Sequence, residues 1–317
     1  MNSFISIFNK NLEPKKLIIF FVIIIFIAHL IALVLKILDL NITDNDEIRK
    51  YQFSKIESFI ENKNTIVVGD SSAGNGFNSK YFDRISNLES LNLSLTGSVG
   101  LIGNLGIAQR AFNENNKIKN IIIIVGLSQL SYKFPESSII ELLPLKLSAQ
   151  IYTASDHFLY YFNLKEYTWH LKYLIKNILN KKKMWEIDLN DDYIKQNNEK
   201  FSNNKLHIGS YDNIKEYDVS KNKIVELKLF NNFCKINKVN CLLLFGPIHT
   251  DIVSNKTNTF NLLNKDIIKL YKNIIFFEDI FQYDGYKMGD GITHIDVKFK
   301  KEATKNYYNL IKDYLLY

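Results

Sequence analysis

The chain has 317 residues, 46% hydrophobic and 23% charged, with a formal net charge of +7. That composition is globular and excludes a disordered or collagen-like chain. The lysines are scattered and form no basic stripe interleaved with aromatics, which argues against nucleic acid and for a membrane surface or an anionic polymer as the electrostatic partner.

The first element is apolar. Leu17 to Leu35 runs for 19 residues with His29 its only polar member. At a rise of about 1.5 Å per residue it approximately spans a hydrocarbon core of about 30 Å. Lys15 and Lys16 precede it, and Lys36 can snorkel at its far end. The run is longer than the h-region of a cleaved signal peptide, and no A-x-A-like site follows it. One uncleaved N-terminal transmembrane helix is therefore expected over 17–38, behind a cytoplasmic tail over 1–16. Lys10, Lys15 and Lys16 favour the N-terminus inside and the bulk of the chain outside the cytoplasm. Residues 39–63 are polar and predict a stalk with a short helix, which leaves 64–317 as the folded domain.

Five stretches predict strands: Thr65 to Val68, Ser90 to Leu95, Asn120 to Val125, Val239 to Phe245 and Asn273 to Phe277. Ile121 to Val125 is continuously β-branched, as a strand covered on both faces requires. Helical periodicity falls between them, over Leu101 to Glu114, Lys221 to Lys235, Phe260 to Lys272 and Val297 to Leu316. Strands alternating with helices imply an α/β fold, a doubly wound parallel sheet of about five strands.

Residues 131–215 break the alternation and predict a helical insertion rich in aromatics, among them Tyr160, Tyr161, Phe162, Tyr167 and Trp169. Leu171, Leu174, Ile175 and Ile178 form an apolar stripe beside Lys172, Lys176 and Lys181 to Lys183. Such a helix either lies on an anionic membrane surface or caps the core with its lysines solvated. Residues 186–215 are polar and predict loop. Because it follows the third strand, the insertion is expected to cover the strand ends and shape a substrate groove. Cys234 and Cys241 are the only cysteines, and their spacing leaves a disulfide and two buried thiols both open.

The first strand runs straight into Gly69-Asp70-Ser71-Ser72. An ordinary turn uses the same residues, but a small polar residue at the C-terminal end of a buried strand also sits where open α/β sheets place their sites. A serine nucleophile needs a base, an orienting acid and donors for an oxyanion. Of the six histidines, His29 lies in the apolar run, His157 and His170 in the insertion, and His207 in a polar stretch. His249 follows the fourth strand, and His294 precedes the last helix with Asp290 close by in a glycine-containing loop. His294 is thus the expected base. Successive residues of an extended chain point to opposite sides, so Ser71 rather than Ser72 is expected to face it. No metal and no cofactor is expected.

In these residues the chain resembles the SGNH (GDSL-type) hydrolase and acyltransferase superfamily. The family's GDS block is matched by Gly69-Asp70-Ser71, and its second block by Asn92 to Gly97. Where the family has G-x-N, this chain has Gly126-Leu127-Ser128. Where it has D-x-x-H, Asp290 to His294 is longer by one residue. The resemblance covers residues 64–130 and 239–317 but not the insertion. It implies a flavodoxin-like SGNH fold, with Ser71 as nucleophile, His294 as base, Asp290 as orienting acid, and Gly97 and Ser128 as oxyanion donors. Asp70, Gln129 and His249 are pocket candidates, and the altered spacing keeps Asp284 and Asp296 as alternative acids. A GDS block close behind one N-terminal anchor is similar to proteins that modify cell-surface polymers, such as alginate O-acetyltransferase-like and D-alanyl transfer proteins. The implied function is an extracytoplasmic serine esterase or O-acyltransferase. Its implied partners are an acylated polymer or acyl donor, the membrane, and a membrane-bound acyl-donor protein. Ser128 in place of asparagine and the stretched last block favour a different reading, an inactive SGNH-fold partner in a surface-polysaccharide complex. A lipid-acting esterase is a third.

Overall fold

The computed structural model describes residues 14–37, 44–130, 139–161, 187–188, 193–194, 221–255, 268 and 270–317. The apolar run forms helix α1 (Pro14–Ile37), with Ile18 to Ile27 exposed. Among the described residues no helix is long and apolar enough to cross a membrane. The side chains of His29, Ala32, Leu33 and Leu35 to Ile37 lie outside those described, so the longest stretch of α1 with every side chain described ends at Ala28.

Residues 44–62 differ from the stalk with a short helix that their polarity predicts. They form α2 (Asp44–Phe59) and a 3₁₀ turn, Ile60–Asn62, packed on the domain through Ile48, Ile56 and Ile60. The reason lies at the edge of the sheet. An edge strand exposes carbonyls that need partners, and two long polar side chains of α2 supply them. Gln52 Nε2 donates to Ser94 O at 2.7 Å, and Lys55 Nζ donates to Asn92 O. Both side chains are buried by doing so.

The chain then runs through β1 (Thr65–Gly69), α3 (Ser71–Gly76), α4 (Ser79–Ser86), β2 (Ser90–Asn92), α5 (Gly100–Glu114) and β3 (Asn120–Val125). Next come α6 (Leu145–Ile151), α7 (Ala154–Tyr161), β4 (Ile187–Asp188) and β5 (Tyr193–Ile194). Then follow α8 (Lys221–Asn237), β6 (Asn240–Phe245), β7 (Ile248–His249), α9 (Thr250–Asn255), β8 (Ile274–Phe276), β9 (Gln282–Tyr283) and α10 (Lys300–Ile311). The protein is α/β, with a five-stranded parallel sheet in the order β2-β1-β3-β6-β8. Counted along the chain, that is 2-1-3-4-5, a common doubly wound order whose switch point lies between β1 and β3.

Side chains of each strand alternate between two cores. Ile66, Val68, Ile121, Ile123, Val125, Leu243 and Phe245 face one core, shared with α2, α5 and α8. Val67, Ile122, Ile124, Leu242 and Leu244 face the other, with Phe77, Phe82 and residues Ala303, Tyr307 and Ile311 of α10. Each such side chain contributes about 1.5–3 kcal/mol when fully buried. This two-sided burial is why the strands read as unbroken apolar runs. All five strands fall where the sequence predicts them. β2 is the short one, yet Leu93 N and Leu95 N still donate to Val67 O and Gly69 O at 2.7 and 2.9 Å, so the parallel course continues to Leu95.

The insertion is not purely helical. Within the stretch expected as loop, two short strands pair antiparallel, Ile187 with Ile194 and Asp188 with Tyr193. Polar composition hides this pairing. The start of the insertion belongs to the core: Ile139, Leu142, Leu143 and Leu147 pack into the α5 side. Gly106 makes room for them, since a Cβ there would lie 2.8 Å from Leu142 O. The basic stripe over 171–183, His170, His207 and most of the helix expected over 260–272 lie outside the described residues. A disulfide joins Cys234 of α8 to Cys241 of β6, which settles the choice that spacing left open.

Candidate active site

β1 delivers Gly69 to the C-terminal edge of the sheet, and the chain turns at once into α3. The turn is built by Asp70, which is buried. Its Oδ1 accepts from Ser72 N at 2.9 Å and from the Ser72 hydroxyl, and its Oδ2 accepts from Gly126 N at 2.8 Å. One carboxylate therefore caps the helix and ties it to the end of β3. Asp70 is spent on the backbone of the site. So is Ser72, whose side chain is packed against Gly246; a Cβ on that glycine would lie 2.1 Å from Ser72 Oγ.

Ser71, half-buried, faces the other way. Its Oγ lies 2.8 Å from His294 Nε2, and His294 Nδ1 lies 2.7 Å from Asp290 Oδ1. An ionised carboxylate can only accept, so Nδ1 carries the imidazole proton and the Nε2 lone pair receives the Ser71 hydroxyl. The His294 and Asp290 side chains are 20% and 22% exposed, shielded enough to be held and open enough to reach a substrate.

The loop that carries this pair is closed by a bridge between Met288 and Ile295. Gly289 N donates to His294 O at 2.6 Å, and Asp296 N donates to Lys287 O at 2.9 Å. The extra residue between Asp290 and His294 is absorbed inside this closure, and His294 N turns back onto Gly291 O at 3.3 Å. A Cβ on Gly291 would lie 3.1 Å from Nδ1, so the imidazole rests against the glycine backbone. Asp284 and Asp296, the alternative acids, are placed otherwise. Asp284 accepts from the Thr250 hydroxyl at 3.3 Å, and Asp296 accepts from Lys298 N at 2.9 Å as the cap of the turn Val297–Phe299.

His249 is buried behind this loop. Its backbone N donates to Ile292 O at 2.9 Å, and its Nδ1 accepts from Asp251 N at 3.1 Å. It holds the loop from behind and does not meet Ser71 in a hydrogen bond.

The second block arrives beside the first through the parallel pairing that ends at Leu95. Gly97 opens a 3₁₀ turn, Gly97–Val99, and Gly100, at φ 60°, leads from it into α5. That φ is one that glycine adopts without strain. Gln129 Nε2 donates to Gly97 O at 2.9 Å and ties this turn to the chain after β3. Ser128 lies in the turn Leu127–Leu130, and its side chain is outside those described. From the far side, the Glu226 carboxylate of α8 accepts from Ile102 N at 3.0 Å at the start of α5. Lys223 Nζ, wholly buried, pairs with it at 2.7 Å. Burial raises the Glu226 carboxyl and lowers the Lys223 ammonium, and their mutual attraction opposes both shifts.

The structure thus brings together Ser71, His294 and Asp290 and sets Gly97 on the same sheet edge. It assigns Asp70, Gln129 and His249 to holding backbone. Two contributors escape the sequence: the Lys223–Glu226 pair, visible only as an i, i+3 charge pair, and Tyr193, an aromatic within a polar stretch. No protein-family model matches the chain, and no curated protein matches it either.

Proposed function

We propose that the protein is a serine esterase or O-acyltransferase of the SGNH type, anchored by α1 with its domain outside the cytoplasm, acting on acyl groups of a cell-surface polysaccharide or related polymer. The observation that carries this reading is the unbroken relay from Ser71 Oγ through His294 to Asp290. In it, Ser71 Oγ attacks the acyl carbonyl while His294 Nε2 takes its proton. The oxyanion is received by the backbone N–H groups of Ser71 and Gly97, with Ser128 assisting. His294 then protonates the departing alcohol and leaves an acyl ester on Ser71. A water or a sugar hydroxyl gives its proton to His294 and attacks that ester, and His294 returns the proton to Ser71 Oγ as the acyl–oxygen bond breaks. Asp290 steadies the imidazolium in both halves.

The Cys234–Cys241 disulfide supports an oxidising, extracytoplasmic setting. A reporter fused at the C-terminus is expected to behave as extracytoplasmic, and cytoplasmic reporter activity would overturn the topology. The substrate is tested on the full chain in detergent with short acyl esters, phospholipids and acylated glycans. An acyl group found on Ser71 by mass spectrometry supports the reading. Turnover of phospholipid alone would move it to a lipid esterase, and no acylation by any donor would favour the scaffold. Asp290→Asn should leave the fold intact and lower kcat by about 10²–10⁴-fold, because the amide no longer holds the Nδ1–H tautomer. Steady-state hydrolysis beside a thermal melt checks this; an unchanged kcat would remove Asp290 from the relay.

A further inference from the structure

We propose that Tyr193 is a positioning residue that fixes the distance between the helix beginning at Ser71 and the chain leading to Gly97, so that the two backbone N–H groups offered to an oxyanion stay together. The proposal rests on the acyl-transfer reading above. Tyr193 belongs to the insertion, far from either segment in sequence, yet it touches both. Its ring lies flat in the place where a side chain at position 74 would be: a Cβ on Gly74 would sit 2.4 Å from the ring. Its hydroxyl donates to Leu95 O at 2.7 Å. Gly74 belongs to α3, and Leu95 precedes Gly97 by two residues.

The two contacts close a frame. Leu95 N already donates to Gly69 O at 2.9 Å, two residues before Ser71. Tyr193 adds the opposite side, from α3 across to the Leu95 carbonyl. A single rigid ring with few rotatable bonds is suited to hold such a spacing. The residue is 1% exposed, so it meets these backbones from inside the fold, closed off from solvent. Burial, with the charges of Asp70 and Asp290 nearby, pushes its hydroxyl far above the usual tyrosine range. The proton stays on the oxygen, and the bond to Leu95 O is kept at any pH the protein meets. The geometry also gives a reason for the glycine at 74, which the short helix would otherwise replace with a better helix former.

A tyrosine that merely filled the core would affect stability and nothing else, so the test reads more than stability. It uses the full chain in detergent. Tyr193→Phe keeps the ring and loses the bond. It should raise amide hydrogen exchange in both 71–77 and 95–98, and lower kcat for a short acyl ester about tenfold at unchanged KM. Gly74→Ala should be destabilising in the native background and much less so beside Tyr193→Leu, where the ring no longer occupies the space. Unchanged exchange in both segments with unchanged kcat for Tyr193→Phe would overturn the proposal, as would additive effects of the Gly74 and Tyr193 changes. The exchange measurement needs no turnover. A native chain that never acylates Ser71 would sink the acyl-transfer reading, while exchange would still decide whether Tyr193 couples the two segments.

Discussion

Replacing Ser71 by alanine is expected to abolish fluorophosphonate labelling of the full chain and to lower ester turnover by about 10⁴-fold or more. Ser72→Ala should keep both. The two serines are adjacent and chemically identical, so the difference is one of placement. Ser71 Oγ stands 2.8 Å from an imidazole that a carboxylate orients. The Ser72 hydroxyl is buried and donates to Asp70. Its loss removes one hydrogen bond, about 1 kcal/mol, and leaves the Ser72 N–H to Asp70 intact at 2.9 Å. His294→Ala should match Ser71→Ala, and the double variant should be no worse than either, because the pair acts as a unit. Labelling that survives Ser71→Ala and disappears with Ser72→Ala would reverse the assignment. A native chain that melts cooperatively yet takes no label would favour the scaffold reading.

Gly69→Ala should cost about 3 kcal/mol, at the upper end for overpacking a core. It should also weaken Ser71 labelling. Gly69 pairs with Ile124 in the register of β1 and β3. A Cβ there would lie 1.9 Å from Ile124 O and 2.6 Å from Ala73 Cβ. Neither obstacle can swing aside, since one is strand backbone and the other the inner face of α3. Relief requires β1 to part from β3 or α3 to lift away, and either motion carries Ser71 off His294. Gly97→Ala is the control. Among the described residues its Cβ would meet Gln129 Nε2, at 3.2 Å, the end of a side chain that can give by a few tenths of an ångström. For a domain of this size the first change should lower the melting midpoint by about 6–12 °C, and the second should lower it little. Equal midpoints for both variants and the native chain would show that β1 and α3 do not meet as closely as described.

The fold and the relay differ in how far the sequence reaches them. The five strands are legible because both faces of the sheet are covered, which leaves no polar position inside Ile121 to Val125 or Leu242 to Phe245. That constraint is local and acts residue by residue. The candidate pair of Ser71 and His294 is legible for a related reason. Strand ends and the entry to a last helix are places that a parallel sheet must bring to one edge.

Choosing between neighbours is another matter. Ser71 and not Ser72 meets His294, but for a reason other than the alternation expected. The two residues open helix α3 and are separated by its rotation of about 100°, not by the alternation of an extended chain. Spacing leaves Asp284, Asp290 and Asp296 all open as the acid. The Met288–Ile295 bridge closes a loop whose ends meet across backbone hydrogen bonds, and within it Asp290 is the carboxylate that lies against His294. The polar stretch before β1 docks as a helix because an edge strand left carbonyls open, a need that arises only once the sheet exists. Tyr193 belongs to the same class. Nothing within its polar surroundings marks it, and its partners Gly74 and Leu95 become neighbours only through β1 and β2. Sequence by itself determined which segments are buried on two faces, because burial is written in local composition. Tertiary structure alone decided which polar groups meet across the sheet edge, because those contacts join segments distant along the chain, and distant segments constrain one another only after folding.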